Sequence, residues 1–478
     1  MKIAMIASEA NPLAKTGGLA DVVYSLSKEL TILGEEVIIV MPFYRSIKEN
    51  YKPSVKHVAS YGIKMAWRTP MVEVYQTYID GITYYLIDNE QYFARQKFYG
   101  EYDDGERFGF FTMAVKELFS HIKFKPDIIH VHDWQAAMLP CIVKERPIEN
   151  SYIAGAKFVL TIHNPAFQGL YDKIVLGDFY NLTDDLYDNG KVRFKGMVST
   201  LKSGIVYADK ITTVSPTHRC ELLNFETSME LEPVIKFRRD DFVGILNGID
   251  VDEFNPSSDK KIAIEYGPTN FVSSKKKCKE ELFSRLNIKS YDKPLFSMVS
   301  RLTWQKGMDL VIAGSYTLAG RGCNVVILGS GEKEVEQELE KLRSTFPNNV
   351  AIFIGYNDSL AHQIYSASDY FMMPSLFEPC GIGQMIAQRY GTLPIVRRTG
   401  GLNDTVIGYD GTNLATSNGF AFDFYSRDAF INTCLYALGV YDNKVAFRRL
   451  VKNALLTDNS WSKSAKEYQA VYKSAIGE

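Results

Sequence analysis

The sequence predicts an α/β protein built from two doubly wound domains, and three observations support this prediction. Short apolar or β-branched runs alternate with longer amphipathic segments along the chain. This alternation occurs twice, with a break at the turn residues Asn247-Gly248-Ile249-Asp250. The chain has 478 residues, more than one compact core usually holds. We therefore expect a domain boundary near Gly244.

The candidate strands are short, continuous apolar runs such as Val37–Met41 and Val325–Leu328. Such runs are typical of strands covered on both faces of a parallel sheet. The first set lies near 2–8, 36–41, 127–131, 157–162 and 210–214, and the second near 243–246, 295–300, 324–329, 350–354, 370–373 and 393–396. Segment 331–346 has helical spacing, whereas segment 55–88 predicts a local antiparallel insertion.

Composition and charge restrict the class of protein. The 54 basic and 56 acidic side chains nearly cancel, so the sequence predicts binding neither to nucleic acid nor to an anionic membrane. The six cysteines form no CxxC pair, a pattern that favours a reducing compartment. The apolar run at Met1–Ser8 is too short for a signal peptide. We expect a cytoplasmic protein, or a plastid protein if a transit peptide has been removed.

A glycine pair follows the first predicted strand. Parallel sheets bind ligands at the carboxyl ends of their strands, so residues in this position are candidates for binding. Gly17 and Gly18 let the backbone approach a ligand closely, and the helix that begins there favours a phosphate group. Lys15 adds a positive charge, and Asp21 lies in the same motif. The alternative is an ordinary tight turn before a helix.

The second predicted domain carries three similar segments after its strands. Arg301 and Lys306 are placed to clamp a diphosphate, unless they are a solvated loop pair. Glu378 could stabilise positive charge at the anomeric carbon of a sugar or hold its hydroxyls. Cys380 is either a small apolar wall residue or a reactive thiol. Segment Thr399-Gly400-Gly401-Leu402, preceded by Arg397-Arg398, is a second candidate phosphate cradle.

The first predicted domain adds polar residues after two further strands. Asp133 and His163 could reach one site and hold sugar hydroxyls. His130 and His132 stand two residues apart, and no nearby spacing completes a metal site around them. Asp250-Val251-Asp252 resembles a metal-binding DxD motif, but it lies in the linker and indicates a turn. The sequence therefore predicts no metal ion.

Taken together, the motifs resemble those of bacterial glycogen synthases and plant starch synthases, from residue 2 to about residue 461. The segments that carry the resemblance are Lys15-Thr16-Gly17-Gly18-Leu19, His132-Asp133-Trp134, His163-Asn164, Asn247-Gly248-Ile249-Asp250, Ser300-Arg301-Leu302-Thr303, Gln305-Lys306-Gly307, Phe377-Glu378-Pro379-Cys380-Gly381 and Arg397-Arg398-Thr399-Gly400-Gly401-Leu402. Their order and spacing match those of the family.

This resemblance implies a GT-B fold, in which two Rossmann-like domains face each other across a deep interdomain cleft. Residues 1–244 would form the acceptor-side domain and 245–456 the nucleotide-sugar-binding domain. A helix near 461–475, within 457–478, would pack back on the first domain. The implied reaction moves glucose from ADP-glucose to the non-reducing end of an α-1,4-glucan (glycogen, starch or a maltooligosaccharide). The α configuration is retained, and neither a metal nor another cofactor is needed.

The resemblance also implies roles for individual residues. Those that match the diphosphate and ribose contacts are Lys15, Gly18, Arg301 and Lys306, with the amides of Gly400, Gly401 and Leu402 added. Tyr356 matches the residue that stacks on the nucleobase. The lining of the glucose subsite is matched by Asp133, His163, Asn247, Glu378, Cys380 and Gly381. We assign catalysis to Glu378, His163 and Asp133; Gly17, Asp21, Asn164 and Thr399 complete the binding set, and Gln168 and Tyr99 are candidate acceptor contacts.

This chain departs from the family pattern at three positions. Many relatives have Thr where this chain has Gly383, Arg where it has Leu376, and His where it has Gln135. The change at Gly383 removes a hydroxyl near the nucleotide and leaves the choice between ADP-glucose and UDP-glucose open. None of the three is a residue to which we assign catalysis.

Two mechanisms and three rival functions stay open at this stage. The acceptor hydroxyl could attack on the face from which the diphosphate departs, which we favour, or Glu378 could form a covalent intermediate. The rival functions are a UDP-glucose-dependent GT-B glucosyltransferase, an α-glucan phosphorylase and a non-catalytic glucan-binding scaffold. A phosphorylase is normally much longer and has a pyridoxal-phosphate lysine, for which this sequence offers no context.

Overall fold

The computed structural model describes residues 1–51, 54–289 and 292–478. These residues form two compact units. The N-terminal unit comprises Met1–Asn247 together with Trp461–Glu478, and the C-terminal unit comprises Gly248–Ser460. The first crossing between the units thus follows Asn247, in the turn that the sequence marks as a break.

The N-terminal unit is built around a large sheet. Its strands are β1 (Lys2–Ile6), β2 (Glu36–Pro42), β3 (Lys56–Gly62), β4 (Met71–Ile79), β5 (Ile82–Asp88), β6 (Ile128–His132), β7 (Lys157–Ile162), β8 (Leu170–Tyr171), β9 (Arg193–Phe194), β10 (Met197–Ser199), β11 (Lys210–Thr213) and β12 (Phe242–Gly244). Among the described residues, β8, β9 and β10 form a small separate sheet, and the other strands form one sheet in the order β12-β11-β7-β6-β1-β2-β5-β4-β3.

Strands β12 to β5 of this order are parallel, and β4 pairs antiparallel with both β5 and β3. The predicted antiparallel insertion is therefore present, but β5 also extends the main sheet by pairing parallel with β2. The prediction that segment 243–246 belongs with the second set of strands is wrong. Phe242 pairs with Ile211, because β12 lies beside β11 at the edge of the first sheet.

Helices connect the parallel strands of this sheet, because such strands need crossover connections. They are α1 (Gly18–Ile32), α2 (Arg45–Tyr51), α3 (Glu90–Phe93), α4 (Asp104–His121), α5 (Asp133–Ala136), α6 (Leu139–Glu145), α7 (Val175–Tyr180), α8 (Asp185–Asp188), α9 (Thr200–Tyr207), α10 (Pro216–Glu221) and α11 (Glu232–Phe237), with a 3₁₀ turn at Arg239–Asp241. The strands β1, β2, β6 and β7 are almost wholly buried, as their continuous apolar runs predict.

The C-terminal unit contains a second, fully parallel sheet. Its strands are β13 (Leu295–Val299), β14 (Asn324–Gly329), β15 (Val350–Ile354), β16 (Tyr370–Met373), β17 (Leu393–Arg397) and β18 (Phe420–Phe422), in the order β15-β14-β13-β16-β17-β18. Counted from the first strand, this order is 3-2-1-4-5-6, that of a dinucleotide-binding doubly wound sheet. Read the same way, the parallel strands of the N-terminal unit have this order with one strand added at the β12 edge.

The helices of the C-terminal unit are α12 (Phe271–Leu286), α13 (Met308–Gly320), α14 (Lys333–Thr345), α15 (Asp358–Ala367), α16 (Gly383–Arg389), α17 (Gly400–Thr405), α18 (Arg427–Asp442) and α19 (Lys444–Leu456), with a 3₁₀ turn at Trp304–Lys306. Helix α14 lies within the predicted segment 331–346. Across 1–51, 54–289 and 292–478, no helix combines the length and apolar character needed to cross a bilayer.

Helix α20 (Trp461–Ile476) belongs to the N-terminal unit, although it follows the C-terminal unit in the chain. It packs against α1 and β7. Trp461, Tyr468 and Tyr472 are buried in the core of this unit, and the Tyr472 hydroxyl lies 2.8 Å from Nδ1 of His130 on β6. The hydrophobic core around the first sheet thus includes residues more than 200 positions beyond the last strand of that sheet.

Candidate active site

Each sheet has a switch point, where the strand order reverses and ligands bind beside the carboxyl ends of the strands. In the N-terminal unit it lies between β1 and β6, and in the C-terminal unit between β13 and β16. The predicted site residues fall into two groups that follow these strands and their neighbours. The two groups are described separately, one in each unit.

In the N-terminal unit, two carboxylates hold the loop that precedes α1. Glu9 accepts two hydrogen bonds from Thr16, from the amide at 2.5 Å and the hydroxyl at 2.9 Å. Asp21 accepts a hydrogen bond from the Lys15 ammonium at 2.8 Å and one from the Asn11 side chain at 2.7 Å. These contacts fix the predicted phosphate loop. Glu9 was missed at the sequence level, although an acid directly after the first strand is a usable signal.

The glycine pair of this loop leaves open space beside the backbone. Gly17 precedes α1 in an extended conformation, and a Cβ added to it would meet nothing within 4 Å. Gly18 is the first residue of α1. A ligand can therefore approach this helix start closely, which is the property that the sequence predicts for a phosphate site.

Asp133 joins the ends of two neighbouring strands. It begins α5 with φ of 53°, and its carboxylate accepts a hydrogen bond from the backbone amide of His163 at 2.7 Å. Burial raises the pKa of Asp133 to about 7, against the opposing effect of amide hydrogen bonds from His163 and Asn164. Burial also raises the pKa of Glu9 to about 7. Two carboxyl groups of this site thus titrate near neutrality.

Three histidine rings lie next to one another at the ends of β6 and β7. His130 is bonded to the hydroxyls of Tyr472 and Thr161, at 2.8 and 2.6 Å. Nδ1 of His132 lies 3.0 Å from Nε2 of His163. Burial lowers the pKa of His130 and of His163 to about 3, so these rings are neutral at ordinary pH.

The described residues contain one cluster with the spacing of a metal site, and it lies elsewhere. It consists of Glu253, Asp358 and His362 in the C-terminal unit. The Lys261 ammonium bonds to Asp358 at 2.6 Å and lies 3.3 Å from a ring nitrogen of His362, so a cation is already provided by the protein. The Asp250 carboxylate accepts the amide of Asp252 at 2.9 Å, which is turn chemistry.

The remaining candidates of the N-terminal unit are buried or bonded within it. The Asn247 side chain is buried, and its Oδ1 makes no hydrogen bond within the described ranges. The Tyr99 hydroxyl lies 2.7 Å from that of Ser8, directly before Glu9. The Gln168 side chain donates to the carbonyl of Met229 at 3.0 Å.

An open cavity of about 450 Å³ lies beside the end of β7. Its wall includes aromatic residues and two longer polar side chains: Trp134, Phe167, Tyr171, Gln168 and Lys195. The rings of Trp134 and Tyr171 have centroids 6.1 Å apart, and Phe167 is exposed. Aromatic faces bordered by polar groups suit the apolar C–H faces and the hydroxyls of sugars. Of these residues, only Gln168 was predicted from the sequence.

In the C-terminal unit, the central feature is an ion pair. Nζ of Lys306 lies 2.5 Å from Oε2 of Glu378, and both side chains are largely buried. The same oxygen accepts a hydrogen bond from the Ser375 hydroxyl at 3.1 Å. Lys306 ends the 3₁₀ turn after β13, and Glu378 lies in the loop after β16. The structure thus brings together two predicted residues that lie 72 positions apart.

Hydrogen bonds to backbone carbonyls hold these two loops together. The side chain of Gln305 donates to the carbonyl of Phe377 at 3.2 Å, and the amide of Leu376 donates to the carbonyl of Gln305 at 2.8 Å. Gly307 has φ of 73°, and a Cβ there would lie 2.2 Å from the Pro374 carbonyl oxygen. Arg301 is exposed on the same loop.

The loop after β17 packs closely on the Glu378 loop. A Cβ added to Gly400 would lie 1.9 Å from the carbonyl oxygen of Glu378, and one added to Gly401 would lie 2.2 Å from that of Cys380. The amide of Gly401 donates to the Pro379 carbonyl, and that of Leu402 to the Thr399 carbonyl. Two of the three amides predicted to contact the diphosphate are therefore already bonded within the protein. Cys380 is buried, which favours its role as a wall residue.

Two further positions are ones that the sequence links to nucleotide recognition. Tyr356 follows β15 and is 87% exposed. A Cβ added to Gly383 would lie 3.1 Å from Cε1 of Phe371 and 3.5 Å from the Tyr365 hydroxyl. Two aromatic side chains thus border the position where many relatives carry Thr, and glycine leaves them room.

Comparison with known families matches both halves of the chain. Residues 2–237 match the family described as starch synthase catalytic domain, and residues 279–448 match glycosyl transferases group 1. The glycogen synthase of Clostridium kluyveri is 42% identical over 477 residues, which cover 100% of both chains. That of Anoxybacillus flavithermus is 42% identical over 475 residues, covering 99% of this chain and 97% of its own.

Solved structures give the same result for the fold. The catalytic domain of starch synthase IV from Arabidopsis thaliana, bound to ADP and acarbose, superposes with a TM-score of 0.91 at 32% identity, covering 100% of this chain and 99% of that one. Sucrose-phosphate synthase from Thermosynechococcus elongatus shares the fold, with a TM-score of 0.62 at 16% identity, covering 99% and 98%. The predicted GT-B fold class is thereby confirmed.

Proposed function

The chain belongs to the family of glycogen and starch synthases, which are glucosyltransferases, and from that premise we propose which substrates it uses. The donor is ADP-glucose, and the acceptor is the non-reducing end of an α-1,4-glucan. The anomeric configuration is retained. The bound ADP and acarbose in the starch synthase IV structure support this choice of nucleotide and of glucan.

The observation that carries the proposal is the Lys306–Glu378 pair at the carboxyl ends of β13 and β16. Cleavage of the sugar–phosphate bond leaves negative charge on the diphosphate and positive charge on the sugar. We assign Lys306 and Arg301 to the diphosphate and Glu378 to the sugar. Because cations of the protein serve the leaving group, no metal ion is required in this scheme.

The bonding of Glu378 supports the same-face mechanism. Oε2 of Glu378 already accepts hydrogen bonds from Lys306 and Ser375. These bonds lower the nucleophilicity of the carboxylate toward the sugar. We propose that the acceptor hydroxyl attacks on the face from which the diphosphate departs. The departing phosphate oxygen then accepts the proton of that hydroxyl, and Glu378 stabilises the oxocarbenium character of the sugar.

The N-terminal unit is assigned to the glucose and the glucan. Asp133, Asn164 and Asn247 are assigned to glucose hydroxyls, together with His163, whose following backbone carbonyl adds a further acceptor. The aromatic cavity beside Trp134 is suited to glucose units of the acceptor chain. In the same scheme, Lys15, Gly17 and Gly18 contact the diphosphate, and Tyr356 stacks on the base.

One assay tests the donor and the acceptor together. We expect labelled glucose to enter glycogen and maltooligosaccharides from ADP-glucose at least about tenfold faster than from UDP-glucose, a difference of ~1.4 kcal/mol. Debranched product should be cut by an α-1,4-specific amylase, and treatment with a metal chelator should leave the rate unchanged. Faster transfer from UDP-glucose would favour the alternative donor.

The absence of transfer from either donor, with glycogen binding intact, would favour the scaffold alternative. The variant Glu378→Gln provides the matched control, because it keeps the shape of the side chain and removes its charge. If the wild type and this variant bind glycogen equally and neither transfers glucose, the catalytic assignment fails.

A further inference from the structure

His132 and His163 are joined by a hydrogen bond between their rings. Nδ1 of His132 lies 3.0 Å from Nε2 of His163. His132 is completely buried, whereas His163, directly after β7, is partly exposed. The second ring nitrogen of His132, Nε2, has no hydrogen-bond partner among residues 1–51, 54–289 and 292–478.

This unpartnered nitrogen decides which ring donates. If His163 donated from Nε2, then His132 would accept at Nδ1 and carry its own proton on Nε2. That proton would be a buried N–H donor without an acceptor, which is rare in folded proteins. If His132 donates from Nδ1 instead, its Nε2 is an unpaired acceptor, which is better tolerated. The geometry therefore favours His132 as the donor.

A neutral imidazole carries a single ring proton, so a His163 that accepts at Nε2 must carry its proton on Nδ1. In the described part of the chain, the hydrogen bond of the His163 ring is made by Nε2, which leaves Nδ1 for a ligand. We propose that His132 is a positioning residue that fixes His163 in the Nδ1–H tautomer, so that His163 donates from Nδ1 to an oxygen of the bound sugar. The identity of that ligand rests on the proposed function.

The surroundings keep both rings neutral. Burial lowers the pKa of His163 to about 3, and burial together with His130 and His163 lowers the pKa of His132 well below its usual value. Among the described residues, the titratable groups beside the pair are the His130 ring, whose centroid lies 4.1 Å from that of His132, and the Asp133 carboxylate, which accepts the His163 amide. In this tautomer Nδ1 of His163 is a hydrogen-bond donor and not a general base.

An NMR experiment on the whole protein reads the tautomer directly. Ring nitrogen shifts of ¹⁵N-histidine distinguish an Nδ1–H ring, an Nε2–H ring and a charged ring. The chain contains seven histidines, and the loss of one signal in His163→Gln assigns it. We expect His163 in the Nδ1–H form, with no titration between about pH 5.5 and about pH 8.5.

Two variants of His132 form a matched pair. In His132→Asn the side-chain amide lies near the place of Nδ1, whereas in His132→Gln it lies near the place of Nε2. We expect His132→Asn to keep the tautomer of His163 and most of the activity. His132→Gln should lose the Nδ1–H signature and lower kcat/KM by about tenfold, the value of one hydrogen bond. Equal far-UV circular dichroism in both variants shows that the fold is kept.

A wild-type His163 in the Nε2–H form overturns the proposal, as does the same His163 tautomer in both variants. The NMR readout does not depend on turnover. If the protein transferred no glucose, the proposed function would fall while the tautomer assignment stood, so the two failures are distinguishable.

Discussion

At the scale of single residues, the candidate residues of the two units differ in kind: the C-terminal unit holds an ion pair, and the N-terminal unit holds neutral or titrating groups. Lys306 and Glu378 form a largely buried ion pair. Glu9 and Asp133 instead have pKa values raised to about 7 by burial. A buried carboxyl group lowers the stability of the folded protein when it is charged. Groups with this cost are typical of functional sites.

Removal of the Glu378 side chain should separate catalysis from donor binding. We expect Glu378→Ala to lower turnover by about 10²- to 10³-fold, because the sugar loses its electrostatic partner in the transition state. The affinity for ADP-glucose should change by less than about tenfold, since Arg301 and Lys306 remain. Rates of glucose incorporation and titration calorimetry measure the two effects.

The contrasting variant is Lys306→Ala, which should weaken ADP-glucose binding by at least about tenfold because it removes the charged donor that we assign to the diphosphate. An equally large loss of donor binding in Glu378→Ala would contradict the division of roles between the two residues.

The raised pKa of Asp133 predicts that stability falls as the pH rises. Its folded pKa, about 7, exceeds the ordinary aspartate pKa of 3.8, so the folded state binds more protons than the unfolded state between about pH 4 and about pH 7. Each unit of this difference corresponds to about 1.4 kcal/mol. Asp133→Asn should therefore raise Tm by several degrees at about pH 8, with a gain that shrinks toward about pH 4. An equal gain at both pH values would contradict this cause.

At the scale of elements, the site is built from loops that approach one another through glycine. Gly401 has almost no room for a side chain, since a Cβ would lie 2.2 Å from the Cys380 carbonyl oxygen. Gly17 is the opposite case, with nothing within 4 Å of the added carbon. The first glycine serves packing between loops, and the second leaves space for a ligand.

These two glycines give a paired prediction. Gly401→Ala should lower Tm clearly and reduce activity by at least about 10²-fold, because the loops around Glu378 must move apart. Gly17→Ala should leave Tm within about 1 °C of the wild type but raise the KM for the donor. Thermal unfolding and donor saturation curves measure both. A large loss of stability in Gly17→Ala would show that its space is needed by the fold.

The regular elements were largely predictable from the sequence. Continuous apolar runs located most strands of the parallel sheets, and helical spacing located α14 to within two residues at its start. Two short strands exposed the limits of this reasoning. Strand β18, Phe420–Phe422, is too short for any periodicity to mark it. Strand β12 was assigned to the wrong sheet, because three residues do not specify their partner.

The sequence predicted that the candidate residues lie in loops after strands, which the structure confirms, but it did not predict the contacts between them. Glycines, acids and bases directly after strands located the loops, because parallel sheets bind at that edge. The partner of Lys306 and the ring contact of His132 depend on side-chain geometry across distant loops, which no local pattern encodes. The aromatic cavity was missed for the same reason, since Phe167 and Lys195 meet only after folding.

At the scale of the whole molecule, the two units differ in how their chain segments are arranged. The C-terminal unit is one continuous segment, Gly248–Ser460. The N-terminal unit is discontinuous and includes α20, whose residues Trp461, Tyr468 and Tyr472 are buried in its core. Each buried aromatic side chain removed from such a core costs about 3 to 5 kcal/mol.

Fragments of the chain should therefore behave differently. We expect residues 248–460 alone to fold and unfold cooperatively, and residues 1–247 alone to aggregate or to lack a cooperative transition. Fusion of residues 461–478 to 1–247 through a Gly/Ser linker should restore that transition. Circular dichroism during heating measures all three fragments. Cooperative unfolding of 1–247 without α20 would show that the helix is dispensable.

The position of α20 also sets an order of assembly during synthesis on the ribosome. Residues 461–476 emerge only after the whole of 248–460 has been translated, so the second sheet can be complete while the first still lacks one of its covering helices. A chain that ended at Ser460 would thus have a complete C-terminal unit and an N-terminal unit with exposed apolar surface. If synthesis ends before α20 is made, chaperones or proteases should bind the N-terminal unit, because that unit then exposes apolar surface.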